Sequence, residues 1–168
     1  CMLSMFEAMA CVSDIDFSLL AFTYSNEHVK EKVENSITSW YLPRLTKGER
    51  LRYLFNDIAT YYWIRRHSPK VIHETYYLRD HPWTPKVKTV ITIHDLTMEK
   101  FPQYSPGQTG MLEKKRKAIE YADHIVCISQ CTRNDLLEFY ELDAAKGSVI
   151  YHGSPNIKLP IESLDRII

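Results

Sequence analysis

The five glycines of this 168-residue chain spell neither of the loops that cradle phosphate: there is no G-x-x-x-x-G-K-[ST] and no G-x-G-x-x-G. No serine or cysteine stands in a nucleophile elbow. Charge of neither sign is in excess, with 21 Lys+Arg against 21 Asp+Glu, so no global field draws the chain to nucleic acid or to an anionic membrane. Long apolar runs are missing as well. Leu19-Leu20-Ala21-Phe22 falls far short of the roughly 20 residues that span a bilayer, and no signal-peptide pattern is visible at the start. The four cysteines are Cys1, Cys11, Cys127 and Cys131. Cys127-x3-Cys131 has no second pair to complete a zinc set, and Cys127, inside the apolar run Ile125–Ile128, reads as a small buried residue. A reducing, cytosolic setting is expected. His73 and His81 flank a proline loop without helical spacing, so no metal is expected either.

What is present suits one globular domain: 45% of residues are hydrophobic and 25% charged. The chain opens on Cys1 in the middle of an amphipathic pattern (Leu3, Phe6, Ala10), and it reads as an excerpt of a longer protein. Residues 2–12 read as the remainder of a helix, Phe17–Thr23 as a strand, Asn26–Glu34 as a short helix and Ile37–Tyr41 as a short strand. Lys47–His67 is the longest helical pattern, with Leu51, Leu54, Phe55, Ile58 and Tyr62 at spacings of three and four; Ser68-Pro69 stops it. Lys70–His73 reads as a strand, Glu74–Lys86 as a loop and Val87–Ile93 as a strand. Glu99–Gly110 reads as a loop, Met111–Ala122 as a helix with a charged face and His124–Ile128 as a strand. Thr132 then opens a helix with Asp135 at capping-box spacing, and Ser148–Tyr151 is a last strand.

Strands alternate with helices, which argues for βαβ units in a mostly parallel sheet with helices on both faces. The run Val90-Ile91-Thr92-Ile93 is a strand buried on both sides, and it ends in His94-Asp95. Ligands of open α/β sheets bind beyond the carboxyl ends of the strands. That rule places His73-Glu74, His94-Asp95, Ser129 and His152-Gly153 on a common rim.

On this rim His94 can donate to an oxyanion or a sugar hydroxyl, or act as acid or base; the plainer reading is a histidine that caps a strand end. Asp95 can orient His94 or accept from a hydroxyl, or can simply start a turn. His73 carries the same two readings as His94. Ser129, Thr132 and Asp135 recur at a helix start, where unpaired N–H groups attract anions, or where they serve as caps alone. Lys114, Lys115, Arg116 and Lys117 read as a solvated helix face from which Arg116 can reach a phosphate.

With their flanks, these rim residues resemble a known family. Val71-Ile72-His73-Glu74-Thr75-Tyr76-Tyr77 resembles a histidine-ended strand followed by an aromatic loop. Thr92-Ile93-His94-Asp95-Leu96 followed by Phe101-Pro102 resembles an "HDL…FP" segment. Lys115-Arg116 through Ala122-Asp123-His124-Ile125-Val126-Cys127-Ile128-Ser129 resembles a "KR…AD.I..IS" segment. Thr132, Asp135-Leu136 and Val149-Ile150-Tyr151-His152-Gly153 continue the series. In this order they resemble the N-terminal half of a retaining glycosyltransferase of family 4, nearest to bacterial mannosyltransferase-like enzymes of surface-polysaccharide synthesis. The resemblance covers residues 70–155 by motif and residues 1–69 by element order.

The resemblance implies a GT-B architecture, with two Rossmann-like domains facing a cleft. Residues 1–155 would form the N-terminal, acceptor-side domain, its first strand missing, and residues 156–168 a linker or the start of the absent C-terminal domain. It implies metal-independent transfer from a nucleotide-sugar, GDP-mannose in the subgroup, to a saccharide or lipid-linked acceptor, with no cofactor beyond that co-substrate. His94 and Asp95 would be catalytic; His73, Tyr76, Arg116, Ser129, Thr132 and Gly153 would bind substrate. The partner would be the missing C-terminal domain or a separate chain, and the chain alone would be inactive. Nucleic acid is not an expected partner, whereas peripheral association with the inner membrane face and self-association through uncovered apolar surface are compatible with this reading. A second reading stays open: a non-catalytic saccharide- or nucleotide-binding module in which Tyr76, Tyr77, Trp83 and Tyr104 stack on sugar rings, unless they merely anchor their loops.

Overall fold

The computed structural model of the protein describes residues 19–24, 37–41, 49–77, 79, 82–84, 86–104 and 107–152. The chain divides into two compact units, residues 1–52 with 152–168, and residues 53–151. In the first, β1 (Leu19–Tyr24) pairs in parallel with β2 (Ile37–Tyr41), with an irregular register between Leu20 and Thr23. The helices expected over residues 2–12 and 26–34 lie outside the described residues.

The long helical pattern is α1 (Glu49–His67). It ends where Ser68-Pro69 predicts. Ser68 takes a left-handed φ of 48° and its N–H closes on the Ile64 carbonyl at 2.8 Å, which satisfies one of the helix's last acceptors. Its apolar spacing predicts a buried face, yet Leu54, Ile58 and Tyr62 are all exposed, and only Ile64 is buried among the helix side chains described. Periodicity shows that a helix has an apolar face and is silent on what covers it.

The second unit is built on a four-stranded sheet of β3 (Val71–Glu74), β4 (Lys88–Ile93), β5 (His124–Cys127) and β6 (Gly147–Val149). All pairings are parallel and the spatial order follows the chain order. Between β4 and β5 lie α2 (Thr97–Lys100), a 3-10 turn at Pro102–Tyr104 and α3 (Thr109–Tyr121); between β5 and β6 lies α4 (Gln130–Phe139). The fold is thus α/β and Rossmann-like, as the alternating pattern predicts. The expected loop at 99–110 is more structured than its Gly and Pro content suggests, because α2 and the 3-10 turn occupy part of it.

Strand geometry sorts the side chains onto two faces. Register sets Ile91 beside Ile125 and Ile93 beside Cys127. These four are fully shielded from water and share one core with Ala118 and Ile119 of α3 and Leu136 of α4. Burial pushes the Cys127 thiol up, so it packs as an apolar group and stays unreactive. Alternate residues form a more polar face, where His73 Nε2 meets Thr92 Oγ1 and His124 Nε2 meets Ser148 Oγ, each at 2.8 Å.

At the opposite edge from the rim, Asp123 locks β5 to β4. Its carboxylate accepts from Lys88 Nζ at 2.6 Å and from the Thr89 N–H at 2.8 Å, while its own N–H donates to the Thr89 carbonyl at 2.8 Å. The Lys88 ammonium, then the Thr89 N–H, hold the carboxyl below its ordinary value. A depressed carboxyl pKa stabilises the fold above the unfolded value of about 3.9 and ceases to do so as pH falls through the folded value. Asp123→Asn is therefore expected to lower the urea midpoint at pH 7 and to flatten its decline on acidification. An unchanged slope between pH 5 and pH 3 would assign the acid sensitivity elsewhere.

Candidate active site

Because the four strands are parallel, their carboxyl ends fall along one edge, and the chain leaves β4 there into His94-Asp95. His94 is half-buried. Its Nε2 lies 3.1 Å from the Thr75 carbonyl, just past the end of β3. A carbonyl only accepts, so Nε2 carries the proton, and in the neutral ring the lone pair sits on Nδ1. Beside it stands Tyr76, its ring 6.2 Å from the imidazole and stacked on Tyr77 at 4.4 Å.

Asp95 is exposed, and its Oδ1 accepts from the Thr97 N–H at 2.9 Å, which starts α2. Burial pushes this carboxyl up, but the Thr97 N–H and hydroxyl, with Lys115 and His94 nearby, bring it below its ordinary value. It is an anion at neutral pH that shapes the turn after β4.

Ser129 is the cap of α4, in place of Thr132. Its Oγ accepts from the Thr132 N–H at 3.0 Å, which satisfies one of the first unpaired donors of the helix. The apolar run continues to Ile128, so the helix starts one turn earlier than a Thr132 cap would allow. Thr132 lies inside it, buried, and gives its hydroxyl proton to the His94 carbonyl at 3.2 Å. In its 2.9 Å contact with Ser129, the serine is consequently the donor. Asp135 does not reach back to a cap; it accepts from Lys100 Nζ at 2.6 Å and ties α4 to α2.

The structure thus gathers His94, Asp95, Tyr76, Ser129 and Thr132 at one end of the sheet. His73 sits on the polar face of β3, against Thr92. Crowding by surrounding atoms lowers its pKa although the residue as a whole keeps an exposed side. Arg116 is held on the surface of α3 by Glu113 at 2.7 Å and by Glu120, an engagement a phosphate would have to displace. His152 belongs to the other compact unit and Gly153 lies outside the described residues. Of the proposed stacking rings, Tyr77 is a core residue, with no face open to a sugar, and Trp83 has the Arg79 guanidinium 3.7 Å above its ring. Tyr76 and Tyr104 are exposed.

Beneath this loop lies a group that the sequence alone does not suggest. Lys115 is not part of a solvated face: it is completely buried and pairs with Glu99 at 2.8 Å. Glu99 also accepts from the Tyr140 hydroxyl at 2.9 Å. Burial, then that bond, drives the Tyr140 pKa up. The signal was present in the spacing, since Met111, Lys115, Ala118, Ile119 and Ala122 form one helical stripe; the surrounding charges concealed it. Among the described residues no group of three or more His, Cys, Asp or Glu is placed to hold a metal ion.

The profile of Glycosyltransferase Family 4 matches residues 10–154, most of the chain and all of the second unit. The chain belongs to glycosyltransferase family 4. Its parallel sheet with flanking helices is that of one Rossmann-like half of such an enzyme, and glycosyl transfer is the chemistry of this family 4 domain. No curated protein matches the chain. Among the described residues, no helix of the family 4 domain is long and apolar enough to cross a membrane.

Proposed function

We propose that this family 4 domain is the acceptor-side half of a retaining glycosyltransferase that moves a sugar from a nucleotide-sugar to a saccharide or lipid-linked acceptor. The observation that carries the proposal is His94: in a chain matched to the family over residues 10–154, the strand at the centre of the core delivers a half-buried, oriented imidazole to the ligand-binding edge of the sheet. In this reading His94 contacts the transferred sugar, and Asp95 shapes the turn beside it. Tyr76 offers an exposed ring to a sugar face, with Ser129 and His73 along the same edge and Thr132, buried, acting through the His94 carbonyl it holds. Arg116 and Gly153 complete the proposed substrate contacts, Arg116 after release from its glutamates. GDP-mannose is the first donor to try, and surface polysaccharide the setting, with the enzyme in the cytoplasm or at the inner face of the membrane.

A nucleotide-sugar carries two phosphate charges, and stabilising its departure takes positioned cations or dipoles. The lysines described near this edge, Lys100 and Lys115, are already paired with Asp135 and Glu99, so the proposal assigns donor binding to a second Rossmann-like domain, on the same polypeptide or on a separate chain. Release of nucleoside diphosphate from a panel of nucleotide-sugars tests this, with the 168-residue chain measured beside the longest reading frame that contains it. Turnover is expected only in the longer form. Absence of turnover from every donor in both forms would sink the enzyme reading, and saccharide binding by the chain would replace it.

A further inference from the structure

Lys115 is an unexpected residue for the core face of a helix. Lysine is almost never fully buried unless paired, and a buried ion pair is often no more stabilising than apolar side chains of the same volume. The core around α3 is otherwise Ala118, Ile119 and Ala122 against Ile91 and Ile93, where a methionine would pack well. Stability alone therefore does not call for a lysine here, and the contacts of its ammonium show what a methionine would lose. Nζ donates to Glu99 Oε2 at 2.8 Å and to the backbone carbonyl of Asp95 at 3.1 Å, and it lies 5.1 Å from the centre of the Tyr77 ring. Glu99 is itself fixed by the Tyr140 hydroxyl of the α4 C-cap.

The Asp95 carbonyl is the second of two consecutive carbonyls held by side chains. The first, of His94, accepts from Thr132 at 3.2 Å. The peptide planes on either side of Asp95 are thus pinned from α3 and from α4, and the imidazole is pinned at its tip by the Thr75 carbonyl. Freeing either peptide lets the loop rotate, and rotation swings the ring.

We infer that Lys115 is a positioning residue for His94: its ammonium, anchored on Glu99, clamps the Asp95 carbonyl and so fixes the imidazole at the sheet edge. The consequence for catalysis rests on the transferase reading above, whereas the clamp itself does not. Displacing a reacting group by about 1 Å can cost on the order of 10²-fold in rate, so loss of the clamp is expected to lower kcat about 10- to 100-fold with little change in KM.

The test uses the histidine side-chain NMR signals of the 168-residue chain, with those of His94 assigned from their loss in His94→Gln. The variants are Lys115→Met and Lys115→Met/Glu99→Gln, the second removing the carboxylate that the first leaves without its cation. Lys146→Met is the control. Lys146 also braces α3, through the carbonyls of Ile119 at 2.8 Å and Glu120 at 3.1 Å, but at the end of the helix away from the rim. The His94 signals are expected to shift in both Lys115 variants and to stay in place in Lys146→Met, and kcat of the active form is expected to follow the same order. If Lys115→Met does not fold, Glu99→Gln alone, which keeps the ammonium and loosens its anchor, carries the same expectation. Unmoved His94 signals in a folded double variant overturn the clamp, as does unchanged kcat with shifted signals overturn its bearing on turnover. A shift in a protein that no assay finds active leaves the clamp standing and removes the transferase reading alone.

Discussion

Replacing His94 by alanine is expected to lower sugar transfer about 10²- to 10⁴-fold, the range that one positioned acid–base group contributes. The fold should survive. The ring lies at the end of β4 and is only half-buried; its described hydrogen bond goes to the Thr75 carbonyl, and one such bond is worth about 1 kcal/mol. The loss should therefore fall on kcat, with a melting temperature close to that of the parent. His94→Asn discriminates further. It keeps a side chain that can hydrogen-bond and gives up acid–base chemistry, so partial recovery of rate would make hydrogen bonding, and not proton transfer, the main task. A kcat within threefold of the parent in His94→Ala would remove the residue from the reaction.

The largest structural effect is expected at Ile93. Its side chain is fully buried at the end of β4, between the Cys127 position of β5 and the helices above. Truncation to alanine removes buried methylene and methyl groups and leaves a cavity, which typically costs about 2–5 kcal/mol. Since a domain of this kind is stable by only about 5–15 kcal/mol in total, Ile93→Ala should shift the urea midpoint strongly with little change in slope. Val71→Ala, one strand away but exposed, should change stability by less than about 0.5 kcal/mol. Equal effects at the two positions would mean that the core does not lie where α3 and α4 meet the sheet.

The strands were the most legible part of this chain. Val87–Ile93 stood out because β-branched residues crowd it, and Gly and Pro punctuate its neighbours; β4 ends where His94 interrupts the run. His124–Ile128 and Ile37–Tyr41 were found for the same reason. Parallel order followed from alternation with helices, and so did the idea of a functional edge.

What escaped was whatever depends on a partner distant in sequence. Lys115 reads as surface because Lys114, Arg116 and Lys117 flank it, and the partners that make its burial tolerable, Glu99 and the Asp95 carbonyl, lie 16 and 20 residues away. The sequence pattern puts the cap of α4 one turn late because Ser129 and Thr132 are equally good capping residues; the Thr132 bond to the His94 carbonyl, 38 residues away, accounts for its place inside the helix. The apolar stripe of α1 was legible, and its exposure was not. The family resemblance needed several motifs in order, since each segment alone is common among α/β proteins.

The sequential order of β3, β4, β5 and β6 also matters at the ribosome. Each strand pairs with one already made, so the sheet can be laid down in the direction of synthesis, at about 5–20 residues per second, without waiting for a distant segment to return. The vulnerable moment comes after β4 emerges. Ile91 and Ile93 then have no cover until α3 and β5 arrive, and for those seconds the nascent chain presents its most adhesive strand to whatever chaperone or neighbouring chain is near.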